Sequence, residues 1–446
     1  MSVLGVLQIV AVLLLAVSIV KLTFVPLALW FEVRLRATPR RRARLRAGPR
    51  SGTRGLGEVR GHPIRRRSLR YLHGTLVSII VPAYNEGVVL SACIESIMHS
   101  RYPRIEVIVV DDGSTDDTAD VMADISERHP SVRAIHQPNA GKGAALNRGI
   151  AAARGDVLVF VDADGLFTAR TIDWLLVGLS VPGVGAVCGD DRPANPDRPL
   201  TQMLSVMSHV GTGMVRRALS LLHCLPIVSG NIGAFRASLV REIGGFREDT
   251  IGEDLELTWR VYEAGYRVAF QPRAIVYAES PSTLRGLWRQ RVRWARGLLQ
   301  TTRIHAHFIG NPRLGVFGPF LALNTFAMVI APPLQMVVLL TLVAIFAIDP
   351  QPASPDLMAG LGWLGILLSA GLVVFAIALN GAWRDLRYLW TLPFWPVYSV
   401  VMGMTMVAAL THEIRGAPAR WNKLQRTGVV TDGVVAGIAR WEGATS

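Results

Sequence analysis

The chain of 446 residues is half apolar, with a mean hydropathy of +0.34 and only 18% of its positions charged. It is too apolar to be disordered, and it falls below the ~25% charge usual for soluble domains, so a purely soluble protein is not expected. Three widely separated cysteines, Cys93, Cys188 and Cys224, without a CxxC or a nearby His cluster, exclude a disulfide scaffold and a structural zinc site.

The formal charge of +14 sits mostly in one place: residues 34–70 hold fourteen Arg and a single acid, Glu58. This run follows an apolar segment, 3–31, whose one full charge before Phe31 is Lys21. About 20 apolar residues span a bilayer, and basic residues beside a span stay in the cytoplasm. Residues 1–33 are therefore expected to form a transmembrane helix with an outside N-terminus. Residues 34–74 follow as a linker held against anionic lipid headgroups. A cleaved signal peptide would carry its basic residues before the apolar core. The position of the run beside a span likewise argues against nucleic acid as a partner.

Residues 75–282 alternate short β-branched runs, at 76–81, 105–111, 132–137 and 156–162, with helical patterns at 87–100, 116–129 and 141–154. The strands are solidly apolar, as in a parallel sheet covered on both faces, so the spacing predicts a doubly wound α/β domain. Such domains bind ligands at the carboxyl ends of their strands. The polar motifs fall there: Pro82-Ala83-Tyr84-Asn85-Glu86, then Asp111-Asp112-Gly113-Ser114, then Asp162-Ala163-Asp164.

Two carboxylates at one strand tip repel unless a cation joins them. Asp162 and Asp164 suit Mg²⁺ or Mn²⁺ shared with substrate phosphates. Lys142, one of three lysines in the chain, opens a helix after a glycine, where a compact ammonium suits a phosphate. Glu253 and Asp254 begin another helix, either as partners of its dipole or as a general base. Gln290, Arg293 and Trp294 share one helical face and offer an amide, a guanidinium and a flat ring to a stacked sugar diphosphate. Residues 283–312, with Arg285, Arg289, Arg291 and Arg296 beside Leu284, Leu287 and Trp288, also read as an interfacial amphipathic helix.

The apolar block 313–411 reads as about three segments: 316–348 broken at Pro332-Pro333, 357–379, and 390–410. Three spans would place the basic tail, 412–446, outside, against the preference of Arg415, Arg420, Lys423 and Arg426. A hairpin within 316–348 or a re-entrant last segment would relieve that conflict. Trp390, Trp395 and Tyr398 are either interfacial belt aromatics or lining for an export path.

Taken in order, these motifs resemble the processive, membrane-embedded members of glycosyltransferase family 2. The resemblance runs through Pro82–Glu86, Asp111-Asp112-Gly113, Lys142, Asp162-x-Asp164, Gly252-Glu253-Asp254 and Gln290-x-x-Arg293-Trp294. It implies a GT-A fold, a UDP-sugar donor, a growing polysaccharide acceptor and a divalent cation. Tyr84, Glu86, Asp111 and Asp112 would line the nucleotide pocket near Lys142, and Asp162 and Asp164 would serve metal and diphosphate. Asp254, with Glu253 beside it, would be the base. Gln290, Arg293 and Trp294 would hold the donor diphosphate and the acceptor end. Where the family usually writes Thr-Glu-Asp, this chain has Gly252. The stretches Ser229-Gly230-Asn231-Ile232-Gly233-Ala234-Phe235-Arg236 and Trp421-x-Lys423-x-x-Arg426 are most similar to poly-N-acetylglucosamine synthases. Hyaluronan, chitin and cellulose synthases share the core motifs. The implied protein is a multi-pass membrane enzyme with a cytoplasmic catalytic domain. A non-processive enzyme loading a lipid acceptor is the nearest alternative.

Overall fold

The computed structural model describes residues 22–35, 74–348 and 355–417. Residues 1–21, most of the Arg-rich run and the Trp421 tail motif lie outside the described residues.

The expected αβ alternation is present in β1 (Val77–Ala83), α1 (Gly87–Met98), β2 (Ile105–Asp112), α2 (Thr118–Arg128), β3 (Val132–Gln137), α3 (Lys142–Ala152) and β4 (Val157–Phe160). These four strands are parallel, in the order β3-β2-β1-β4. Alternate residues feed opposite cores. Ile79, Val107 and Val159 face Leu90, Ile94 and Met122 of α1 and α2, whereas Ile80, Ile108 and Phe160 face Leu146 and Ile150 of α3. Burial on both faces is why these strands read as unbroken apolar runs.

The chain continues with β5 (Leu166–Phe167), α4 (Thr171–Leu179), β6 (Val184–Pro193), α5 (Pro199–Ser208), a π-helical turn His209–Val215, and α6 (Arg216–Leu221). Then come β7 (Gly233–Arg236), α7 (Ala237–Glu242), α8 (Glu253–Glu263) and β8 (Arg267–Ala278). Here the parallel expectation is corrected. The sheet has eight strands in the order β3-β2-β1-β4-β7-β6-β8-β5, and β7 runs antiparallel to both β4 and β6, so it is mixed. The sequence concealed this half for physical reasons. β5 and β7 are too short for periodicity, β6 contains Gly185 and Gly189, and β8 carries Pro272 and a register irregularity against β6.

A long amphipathic helix follows, α9 (Leu284–Ile304), begun by Thr283, whose Oγ1 accepts the Gly286 N–H at 3.1 Å. Beyond it, α10 (Phe317–Thr325), a π-helical stretch Phe326–Ile330 and α11 (Ala331–Ile348) form one continuous rod. Pro332-Pro333 does not break it. Each proline ring crowds the carbonyl four residues back, at Met328 and Val329, and the helix widens there into π geometry instead. Next are α12 (Pro355–Leu379), a 3₁₀ run Trp383–Phe394, and α13 (Trp395–Ile414), so the last segment begins at Trp395 rather than at 390. Among the described residues, Phe317–Thr341 and Val397–Ile414 are long and apolar enough to cross a membrane.

Both ends of this block dock on the α/β domain. The chain leaves it at Phe317, stacked on Tyr262 with ring centroids 3.8 Å apart. It returns at Asn380, which bonds His209 Nδ1 at 3.0 Å and accepts from Arg217 at 2.7 Å. Arg217 also pairs with Glu32 of the helix at 22–35, at 2.7 Å. The 3₁₀ run is tied down by Asp385, which accepts from Ser205 at 3.0 Å and contacts His209 Nε2 at 2.8 Å. α13 then lies along α9, with Met406 and Ala409 packed on Ala295 and Leu298.

Candidate active site

The site forms where β1, β2 and β4 end. Asp112, fully buried at the end of β2, accepts from Gln137 Nε2 at 2.8 Å and from the N–H groups of Ala140 and Gly141 at 2.9 and 2.8 Å. Gly141 has φ +94°, a conformation that suits glycine, and it delivers the chain into the first turn of α3. Asp112 therefore pins the turn that places Lys142.

Lys142 is central. Its Nζ lies 2.7 Å from Asp162 Oδ1 and 3.1 Å from Glu253 Oε1. Burial opposes its charge, but Asp162, Glu253 and Asp254 more than compensate and hold the ammonium protonated. The strand-tip carboxylate and the pair at the start of α8, 91 residues on, are thus joined by one side chain.

Asp254 has its own support. Its Oδ2 accepts the Gly230 N–H at 3.1 Å and its Oδ1 the Leu255 N–H at 2.8 Å. A small cavity lined by Leu146, Phe160, Val228, Phe235 and Phe246 lies against Glu253 and Asp254. Burial there, reinforced by the Glu253 carboxylate, outweighs Lys142 and the two N–H groups and raises Asp254 to about 6. A carboxylate poised near neutrality, with lone pairs left after two backbone bonds, can accept a proton.

Asp164 is buried, and its Oδ2 accepts the Glu279 N–H at 3.1 Å, while the Asp162 side chain is one-third exposed. Cys93 reports the charge between them. Burial first, then Asp164, Asp162 and Glu86, push its thiol well above the usual range. Glu86, in the turn opening α1, therefore converges on the same place, with its N–H bonded to Thr118 Oγ1 at 2.8 Å. A donor diphosphate would bring further negative charge to these carboxylates. The residues fit a hard divalent cation held by two carboxylates and completed by substrate oxygens. Among the described residues no group of three or more His, Cys, Asp or Glu is placed to hold a metal ion.

The other expected residues are distributed as follows. Tyr84 is half-buried at the end of β1, and Asp111 Oδ2 contacts His136 Nδ1 at 3.1 Å. Ser229 donates to Asp191 Oδ1 at 3.2 Å, and Asp191 pairs with Arg216 at 2.7 Å. That pair was not anticipated; the consecutive acids Asp190-Asp191 at a strand end were its only sequence signal. Gln290, Arg293 and Trp294 lie on α9, with Trp294 about half exposed and the Arg291 guanidinium 4.2 Å from its ring centroid. One turn on, Gly297 meets Gly252: a Cβ on either would come within 2.9 Å of the other's Cα. This explains glycine at the position before Glu253-Asp254. The hydroxyl stands two residues earlier, where Thr250 Oγ1 accepts the Gly252 N–H at 3.2 Å.

Comparison with known proteins gives the family and the fold. The chain is 36% identical over 229 residues to "Probable glycosyltransferase YdaM" of Bacillus subtilis (strain 168), covering 50% of this chain and 54% of that relative. It is 30% identical over 222 residues to a "Poly-beta-1,6-N-acetyl-D-glucosamine synthase" of Staphylococcus epidermidis, again 50% and 54%. The chain thus spans about half the length of the curated relatives it matches. The solved mannosyltransferase PcManGT from Pyrobaculum calidifontis, in complex with GDP-Man and Mn²⁺, aligns with a TM-score of 0.55 at 24% identity, over 79% of this chain and 94% of that one; it shares the GT-A-like fold. Residues 73–297, half of the chain, match the family described as glycosyltransferase like family 2. The chain belongs to that family and is a glycosyltransferase.

Proposed function

We propose that the protein is an inverting, processive β-glycosyltransferase that extends a polysaccharide from a UDP-sugar, with UDP-N-acetylglucosamine the first donor to test. The observation carrying this reading is the Lys142 bridge, which joins Asp162 to the pair Glu253-Asp254 and so sets diphosphate and base chemistry in one place.

Asp254 takes the proton of the acceptor hydroxyl as it attacks the anomeric carbon opposite the diphosphate, converting an α-linked donor into a β-linked product. A general base contributes about 10²–10⁴ in rate. Gly230 and Leu255 orient the carboxylate through their N–H groups. Lys142 and Arg293 accompany the departing diphosphate, and Trp294 offers its exposed ring to the acceptor sugar. Mg²⁺ or Mn²⁺ bound by Asp162 and Asp164 would supply Lewis-acid stabilisation of the leaving group. Tyr84, Glu86, Asp111 and Asp112 frame the nucleotide end, with Ser229 and Gly230 beside the sugar.

The catalytic domain sits at the cytoplasmic face of the cell membrane, with α10–α11 crossing outward and α12 returning. Asp385 ties the 3₁₀ run before α13 to the α/β domain and Glu413 near the end of α13 pairs with Arg296 of α9, which supports a reading in which α13 does not cross and the basic tail stays on the catalytic side. A hydroxyl-rich polymer crosses hydrocarbon only along protein, so extension and export are coupled. The test is to offer purified protein in detergent UDP-N-acetylglucosamine, UDP-glucose and UDP-glucuronate separately, measure UDP release and size the product. Long chains from one donor support the reading; a single sugar transferred to lipid replaces processive extension with lipid loading.

A further inference from the structure

The loop that leads into Asp254 has no regular structure from Asp249 to Gly252, and what holds it comes from outside the α/β domain. Gln300, buried on α9, accepts on its single Oε1 from Thr250 Oγ1 and from the Ile251 N–H, both at 3.1 Å. Its amide nitrogen donates to Glu413 Oε1 at 3.0 Å, at the far end of α13. The same carboxylate oxygen takes Arg296 Nε at 2.6 Å, and Arg296 also bonds the Ala417 carbonyl at 2.6 Å. Two donors on one side and an acceptor on the other leave Gln300 a single orientation.

Helical spacing adds to this. Gln290, Arg293, Gly297 and Gln300 fall at i, i+3, i+7 and i+10, one stripe of α9, and its last two members touch the base loop. The stripe that begins with the amide and guanidinium expected at the diphosphate therefore ends on the loop bearing the base. Gly252 and Gly297 meet backbone to backbone, so the loop can seat in one depth only.

We propose that Glu413 and Gln300 are positioning residues for the catalytic base: Glu413 at the end of α13 sets Gln300, and Gln300 sets Thr250 and Ile251, fixing where Asp254 stands. This rests on Asp254 being the base. Neither residue touches substrate. Their effect is on the height of the chemical step, and through α13 they make that step depend on a helix that lies outside the nucleotide-binding domain. A displacement of about 1 Å at a reacting group costs up to ~100-fold in rate.

The test uses the full chain in detergent with three variants: Glu413→Gln, Gln300→Glu, and both together. Each single change weakens the link, the first by removing the charge that holds Arg296 and leaving one amide oxygen to serve both Arg296 and Gln300, and the second by setting two carboxylates face to face. The paired change reverses donor and acceptor, keeps an oxygen for Thr250 and Ile251, and keeps one carboxylate near Arg296. Expected are kcat losses of about tenfold in each single variant with donor KM within twofold of wild type, an altered acid limb of the kcat–pH profile, and recovery of most of kcat in the paired variant. Wild-type kcat in both singles overturns the proposal, as does a paired variant no better than the singles. Asp254→Asn run in parallel separates the two levels: activity surviving there refutes the base assignment, whereas an inactive Asp254→Asn beside fully active Glu413→Gln and Gln300→Glu refutes this link alone.

Discussion

Replacing Lys142 by Met gives the sharpest reading of the site's electrostatics. Asp254 stands at about 6 because burial and Glu253 raise it while Lys142 and two N–H groups hold it down. With that value, the base is about nine-tenths ionised at pH 7 and about one-tenth at pH 5, so wild-type kcat falls close to tenfold between them. Lys142→Met deletes a force that lowers the pKa, leaving burial and Glu253 less opposed. The acid limb must therefore move to higher pH, and the ammonium bonded to Asp162 at 2.7 Å is lost to the diphosphate as well. The assay is nucleotide release at saturating donor from pH 5 to 9, for wild type and variant. A limb that stays in place, or moves to lower pH, refutes the view that Lys142 and Asp254 share one field.

The other outcomes follow from packing, charge and topology. Gly297→Ala puts a Cβ 2.9 Å from Gly252 Cα, an overpacking worth about 1–3 kcal/mol, so Tm should drop and turnover with it; an unchanged Tm would show that the loop seats loosely. Removing divalent cations with a chelator should abolish transfer, with Mg²⁺ or Mn²⁺ restoring it, because a diphosphate beside Asp162 and Asp164 needs a cation to join carboxylate and phosphate oxygens; full activity in chelator would discard the role of the aspartate pair. A protease site inserted after residue 417 should be cut from the side that carries the catalytic domain, since Arg296 bonds the Ala417 carbonyl; cleavage from the opposite side would contradict the docking of α13.

How much of this was legible beforehand depended on how local the determinants were. β1 to β4 and the intervening helices could be read because each strand is a short apolar run ended by turn residues, and the motifs at their tips followed from the rule for parallel sheets. The antiparallel half was not legible, since a four-residue strand such as Gly233–Arg236 takes its identity from its neighbours β4 and β6 rather than from its own pattern. Asp254 was visible as a residue type at a helix start, where cap and base look alike; the apolar cavity beside it and the bridge from Lys142 are long-range facts. Gly252 stands where the resemblance expects Thr, and its reason, Gly297, lies 45 residues away. Glu413 and Gln300 gave no signal: an acid near the end of an apolar helix and a glutamine on a basic one become a pair only once α13 is laid along α9.

Turnover of Asp254→Asn against donor binding bears most directly on the central assignment. The amide keeps the shape of the carboxylate while losing the basic lone pairs, so nucleotide release should fall about 100-fold or more with donor affinity within a few-fold of wild type. Release at the wild-type rate by a folded Asp254→Asn protein would place the base elsewhere and contradict the account.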